Sequence, residues 1–152
     1  LHAYPTKDKK IGGLIILEMF SDEINIKTSK RMELVNITQK VRDIVKSSNI
    51  SDGIVNVFTR HTTSAIFINE NESRLLGDFE KVIERLIPMG GSYGHNAIDN
   101  NADSHLRAMI VGGSQSIPLI SGSLDLGTWQ SIFFVEFDGP RRRRVRVTVI
   151  GR

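Results

Sequence analysis

The sequence predicts an α+β fold, a mostly antiparallel sheet or flattened barrel with two to three helices packed on it. Three observations carry this reading. Short runs that alternate apolar and polar residues recur along the chain, two stretches hold apolar residues at clear helical spacing, and the C-terminal third is strand after strand without intervening helices.

Each element can be justified in order. INIKTS at 24–29 alternates as a strand with one wet face should. Thr38 offers an N-cap to a short helix in which Val41, Ile44 and Val45 keep the i, i+3, i+4 spacing. GIVNVFTR at 53–60 and SAIFINE at 64–70 read as adjacent strands joined by a turn at HTT. Residues 73–87 give the clearest helix, with Leu75, Leu76, Phe79, Val82, Ile83, Leu86 and Ile87 on one core face and Pro88 closing it. MGGSYGHNAIDNN has the composition of a loop. Asn100 or Asn101 then caps a helix over about 102–111, with Ala102, Leu106, Met109 and Ile110 inward and Gly112 and Gly113 ending it. QSIPLI, a turn at SGS, a short DLGTW segment, QSIFFVEF and RVRVTVI complete the chain as strands. Residues 1–20 read as an N-terminal extension and 21–152 as a single domain.

A chain of 152 residues with 39% hydrophobic and 24% charged content builds one core. No apolar run approaches the roughly 18 residues of a membrane span, so no membrane partner is expected. LHAYPTKDKKI lacks the order of a secretory signal, and a cytoplasmic location is the expectation. With no cysteine, a metal would have to rest on His, Asp, Glu or Asn. The net charge of +3 is unevenly placed: residues 141–152 hold six Arg and no acid, leaving 14 basic against 17 acidic groups on the rest.

The histidines are the scarcest chemical groups. His2 falls in the extension, His61 sits at the mouth of the strand connection beside Thr62, Thr63 and Ser64, His95 lies in the Gly/Asn loop, and His105 stands in the first turns of the third helix. A helix start disfavours an imidazolium, and a neutral imidazole is a fit metal ligand. Three imidazoles with an open position are the ligand set of a catalytic zinc. The separations of 34 and 10 residues match no compact metal signature, so a surface histidine plus two that structure loops is the simpler reading of spacing alone.

Glu136 continues an apolar row in QSIFFVEFD, so it is buried and either functional or paired with a following arginine. Glu70 shares the face of Ile66 and Ile68 at a strand end, where it builds a site or caps the next helix. Asp103 stands four residues before Arg107, the spacing of an ordinary ion pair. The run Arg141–Arg146 could bind a phosphate ligand or nucleic acid without turnover. It opens a strand, so about half its side chains face any one partner, and no aromatic interleaves it, so nucleic acid is not the expected partner. Guarding a sheet edge, or pairing across a subunit contact, would explain it as well. Trp129, between Thr128 and Gln130, is a pocket wall or a core anchor.

HTTSAIFINEN at 61–71, GHN at 94–96, ADSHL at 102–106 and LGTWQSIFFVEFDGPRRRR at 126–144, in this order, closely resemble the YjbQ family of small bacterial and archaeal proteins. The resemblance runs from about residue 22 to the C-terminus. It implies an α+β fold, a homotrimer, and a site near subunit boundaries that gathers His61, His95 and His105 as metal or catalytic histidines, with zinc the expected metal. It further implies Glu70 as a neighbouring acid, with Thr62, Ser64, Asn71, Thr128, Trp129 and Gln130 toward a small phosphorylated or anionic ligand; Asp103 and Glu136 complete the acid set. The family often carries the name secondary thiamine-phosphate synthase, a weak activity joining hydroxymethylpyrimidine diphosphate to a thiazole phosphate with loss of pyrophosphate. Leaving-group stabilisation of that kind calls for paired carboxylates holding magnesium, and the chain has no DxxD-like pair. Imidazoles with one or two acids suit water activation or small-anion binding better.

Overall fold

The computed structural model describes residues 10–11 and 14–152. Most of the expected extension, His2 included, lies outside the described residues or in a minimal pair of two-residue strands, β1 (Lys10–Ile11) and β2 (Leu14–Ile15). The main body runs β3 (Glu18–Lys27), β4 (Glu33–Asn36), α1 (Thr38–Ser48), β5 (Gly53–Thr59), β6 (Ser64–Glu70), α2 (Ser73–Leu86), α3 (Ala102–Val111), β7 (Ser114–Ile120), β8 (Ser123–Leu124), β9 (Gln130–Glu136) and β10 (Arg142–Gly151).

Two antiparallel sheets form, ordered β3-β10-β5-β7-β8 and β4-β9-β6, so the α+β expectation stands. Period-two alternation decides which side chains meet. Ile24, Ile26, Val55, Val57, Ile117, Val145, Val147 and Val149 line one face of the five-stranded sheet and pack against Val41 and Val45 of α1 and against Ile66, Ile132 and Phe134 of the smaller sheet. Each such aliphatic side chain, removed from water, contributes about 1.5–3 kcal/mol. The smaller sheet turns Ala65, Val135 and Phe137 the other way, onto Ile83 and Ile87 at the end of α2 and Ala108 of α3. The order of layers is therefore sheet, sheet, helices, with α1 filling the first interface.

Several expectations change. β5 and β6 are not a ladder pair: they belong to different sheets, and His61–Thr63 is a corner between layers. β4, with its sequence ELVN, is a strand the sequence pattern did not single out. Thr38 is the first residue of α1, not its cap; its Oγ1 donates to Asn36 Oδ1 at 2.6 Å and accepts from Ile132 N–H at 2.8 Å, tying the helix start to β9. Asn101 occupies the N-cap position of α3 without capping through its side chain, since Asn96 Oδ1 accepts the Ala102 N–H instead. Gly112 ends α3 as expected, at a φ of 97° that favours glycine. The apolar stripes are only half used: Leu75, Val82 and Leu86 of α2 and Met109 and Ile110 of α3 lie exposed on the chain by itself.

Candidate functional site

The predicted site residues fall in three places, and the first is closed. Where the two inner faces run out of aliphatic residues, Glu136 and Arg143 meet as a buried ion pair, Arg143 Nε and Nη2 donating to the two carboxylate oxygens at 2.8 and 2.6 Å. Thr28 Oγ1 and Asp138 N–H donate to the same carboxylate at 3.2 and 3.0 Å, and Arg143 also donates to Thr63 Oγ1. Glu136 is 0% exposed and paired with a following arginine, one of the two readings open for a buried acid at this position; the Thr28 hydroxyl proton is shared between this carboxylate and the Arg141 carbonyl at 3.1 Å. The network continues outward. Asp138 accepts from Arg31, Arg141 and Asn101, and those hydrogen bonds and charges outweigh its desolvation and hold it below the usual carboxylate range. Asp103 pairs with Arg31 at 2.9 Å and with Arg107 at 3.4 Å, the i, i+4 pair read from the sequence. Arg107 in turn donates twice to the Ile87 carbonyl at the end of α2, and Ser104 Oγ donates to the Phe137 carbonyl at 2.6 Å. Two of the three predicted acids, Glu136 and Asp103, are thus committed to arginine.

His61 borders this network. The Arg144 backbone N–H donates to His61 Nε2 at 3.1 Å, so the ring caps the β10 ladder where β5 has turned away. A backbone N–H can only donate, so Nε2 is unprotonated and the neutral ring carries its proton on Nδ1. Burial, then the charges of Arg143, Arg144 and Arg60, lower the pKa of His61 against the opposing pull of Glu136. Of its neighbours, Thr62 is exposed, whereas Ser64 is buried and bonded to Thr59 Oγ1 at 2.7 Å.

The second place is open. A 3-10 turn, Gly94–Ala97, is clamped over the start of α3 by Asn96, whose side chain donates to the Gly91 carbonyl and accepts from Ala102 N–H. That clamp sets the exposed His95 against the half-buried His105, ring centroids 4.9 Å apart at an interplanar angle of 75°. The two rings line an open cavity of about 550 Å³ with Tyr93, Leu106 and Met109. Rings this close can each turn one nitrogen to a common point. Among the described residues, no three His, Asp or Glu side chains gather as a metal ion would need, so His61 does not join His95 and His105 in a three-histidine set within the chain.

The third place is the far end of β6, about 20 Å from Ser64 along the strand. Register sets Glu70 opposite Gln130, beside Asn71, Thr128 and Trp129. Gln130 Oε1 accepts from Gly127 N–H and shapes the turn. Trp129 is 73% exposed, which excludes the core-anchor reading.

A profile of the UPF0047 protein YjbQ-like family matches residues 22–152. The chain belongs to the YjbQ-like family. A UPF0047 protein of Methanothermobacter thermautotrophicus is 61% identical over 91% of this chain and 96% of its own, and YugU of Bacillus subtilis is 34% identical over 84% and 97%. Among solved structures, a YbjQ-like protein of unknown function from Sulfolobus solfataricus aligns with a TM-score of 0.89 at 40% identity, covering 90% of this chain and all of its own. A hypothetical protein from Aeropyrum pernix aligns at 0.85 with 39% identity, over 88% and 99% of the two chains. The YjbQ-like motifs HTT, GHN, ADSHL and the GTWQ-to-RRRR stretch therefore supply all three places. Sequence reasoning missed Arg31, Thr28 and Asn96, which organise the closed network and the open turn. Arg143 had a signal: it shares the odd-numbered, inward face of Val145, Val147 and Val149.

Proposed function

We propose that this YjbQ-like chain works as a homotrimer in which His95 and His105 hold a divalent metal, zinc by ligand type, next to a small phosphorylated or anionic ligand. Thiamine-phosphate synthesis of the secondary kind is incidental to that site. The observation that carries the reading is the juxtaposition of the two imidazoles at 4.9 Å on an open cavity. A catalytic zinc takes three protein ligands, so two imidazoles leave a gap for a donor from another copy. When bound, such a metal supplies Lewis-acid activation of water or of a phosphoryl oxygen. The chain's own part is to aim both rings, through the Asn96 clamp and the start of α3.

Assembly is supported by the exposed apolar stripe of Leu75, Val82 and Leu86 on α2 and by exposed Met109, Ile110 and Trp129 elsewhere. His61, with Nε2 engaged, presents an N–H donor and suits the anionic ligand better than the metal. Magnesium-assisted loss of pyrophosphate finds little help here, since Glu136, Asp138 and Asp103 are all paired with arginine. No helix among the described residues is long and apolar enough to cross a membrane, and the reading places the protein in the cytoplasm.

The test is elemental analysis and light scattering on protein purified without an affinity tag, with thiamine-phosphate formation assayed on the same preparations. Stoichiometric zinc that His95→Ala and His105→Ala each abolish, in a particle of three chains, is the expected result. Absence of metal, or metal content indifferent to both substitutions, sinks the reading.

A further inference from the structure

The basic run that opens β10 divides by side-chain direction. Arg143 turns inward to Glu136 and Arg141 folds back onto Asp138, whereas Arg142, Arg144 and Arg146 stand on the outer face of the five-stranded sheet. Register sets Lys27 of β3 directly across from Arg142, and Phe58 of β5 directly across from Arg146. Arg60, just beyond β5, joins them by reaching Glu23 at 3.4 Å. Glu23 also takes Arg146 at 2.6 Å and Arg144 at 3.4 Å. Five cations therefore share a face with one paired carboxylate, and among the described residues Lys27 and Arg142 have no ion-pair partner.

Folding alone does not explain this. Like charges directly opposite each other in a sheet are destabilising, so the Lys27–Arg142 pair costs stability. The protective role for charged strands applies at sheet edges, and β10 is interior, flanked by β3 and β5. The shape of the patch also discriminates. Side chains two apart on a strand are about 6.7 Å apart, so Arg142, Arg144 and Arg146 form a line about 13 Å long, a track for a chain of phosphates and too extended for one. No aromatic interleaves the run itself, but the cross-strand register supplies one, since Phe58 is 40% exposed beside Arg146.

We propose that the outer face of β3, β10 and β5 binds the phosphodiester backbone of single-stranded nucleic acid without sequence preference, with Phe58 as a stacking platform for a base. This is separate from the histidine pair and independent of any metal there.

The experiment is anisotropy of a labelled single-stranded oligothymidine against the full chain at several salt concentrations. With about three to five phosphates neutralised, log affinity falls against log salt with a slope of about −2 to −3.5. Arg142→Gln with Arg144→Gln lowers affinity at least about tenfold and flattens the slope. Lys27→Gln, which disturbs no ion pair, does so by a smaller factor, and thermal melts verify that each variant is folded. Phe58→Ala lowers affinity about fivefold or more and leaves the slope unchanged. No binding at low salt, or binding indifferent to salt, overturns the proposal. Binding that polyphosphate matches and Phe58→Ala leaves intact assigns the face to a bare polyanion and overturns the nucleic-acid reading. So does a change in solution mass on substituting Arg142 and Arg144 with no oligonucleotide bound, which makes the face a contact between copies.

Discussion

The β9–β10 corner and the entrance to α3 both drew attention through chemically capable residues, yet the structure treats them in opposite ways. At the corner Glu136 has four donors for its two oxygens, no exposure, and an arginine of its own. At the entrance His95 and His105 pack edge to face and together line an open cavity. The difference teaches that reactive residue types mark a site only where their hydrogen-bonding capacity is left over. A satisfied acid is part of the frame; a free imidazole is available to a ligand.

That contrast can be broken by substitution, beginning where the effect is largest. Arg143→Ala leaves Glu136 as an uncompensated buried charge and is expected to cost about 3–5 kcal/mol, read from denaturant midpoints. A loss below about 1 kcal/mol would mean that the corner is not a closed unit. Next comes Ser104→Ala, which removes the 2.6 Å bond to the Phe137 carbonyl and is expected to cost about 1–3 kcal/mol, measured the same way. Smaller still is a pH effect at His61. Its folded pKa lies below the ordinary value of 6.5, so the neutral ring's contribution is fully present above pH 6.5 and is lost as pH falls through the lowered value. The melting temperature of the wild type should therefore fall more steeply than that of His61→Gln on acidification below 6.5, and parallel curves would refute the lowered pKa. The smallest change in stability is expected at the entrance, where His95→Ala should stay within about 0.5 kcal/mol because its ring is exposed.

How much of this the sequence disclosed depends on whether one element sufficed to state it. Val145, Val147 and Val149 announce their strand by alternation, and Glu136 announces its burial by standing in an apolar row. His95 and His105 are ten residues apart, and the turn that unites them is local. His61 is legible as a residue and not as a geometry: a short connection between two strands serves equally for a hairpin and for a corner between sheets, and only the pairing of β5 with β10 and of β6 with β9 decides. Arg31, which ties Asp103 to Asp138, sits in a polar segment whose pattern says nothing of partners 72 and 107 residues away. The stripe of α2 predicts one core face, yet Leu75, Val82 and Leu86 are exposed while Ile83 and Ile87 are buried, because how a helix seats on its sheet is not a property of that helix alone.

The interior position of β10 has a consequence for how the molecule is made. β10 fills the gap between β3 and β5, pairing Gly151 with Glu18 on one side and with Gly53 on the other. During synthesis both flanking strands leave the ribosome well before it does. They wait with their facing edges unpaired until residues 142–151 arrive, so the large sheet closes as a late, long-range event and not progressively along the chain. A nascent chain stalled short of residue 142 would display those two edges together with the inner face that Val145, Val147 and Val149 normally cover, a surface suited to capture by a holding chaperone.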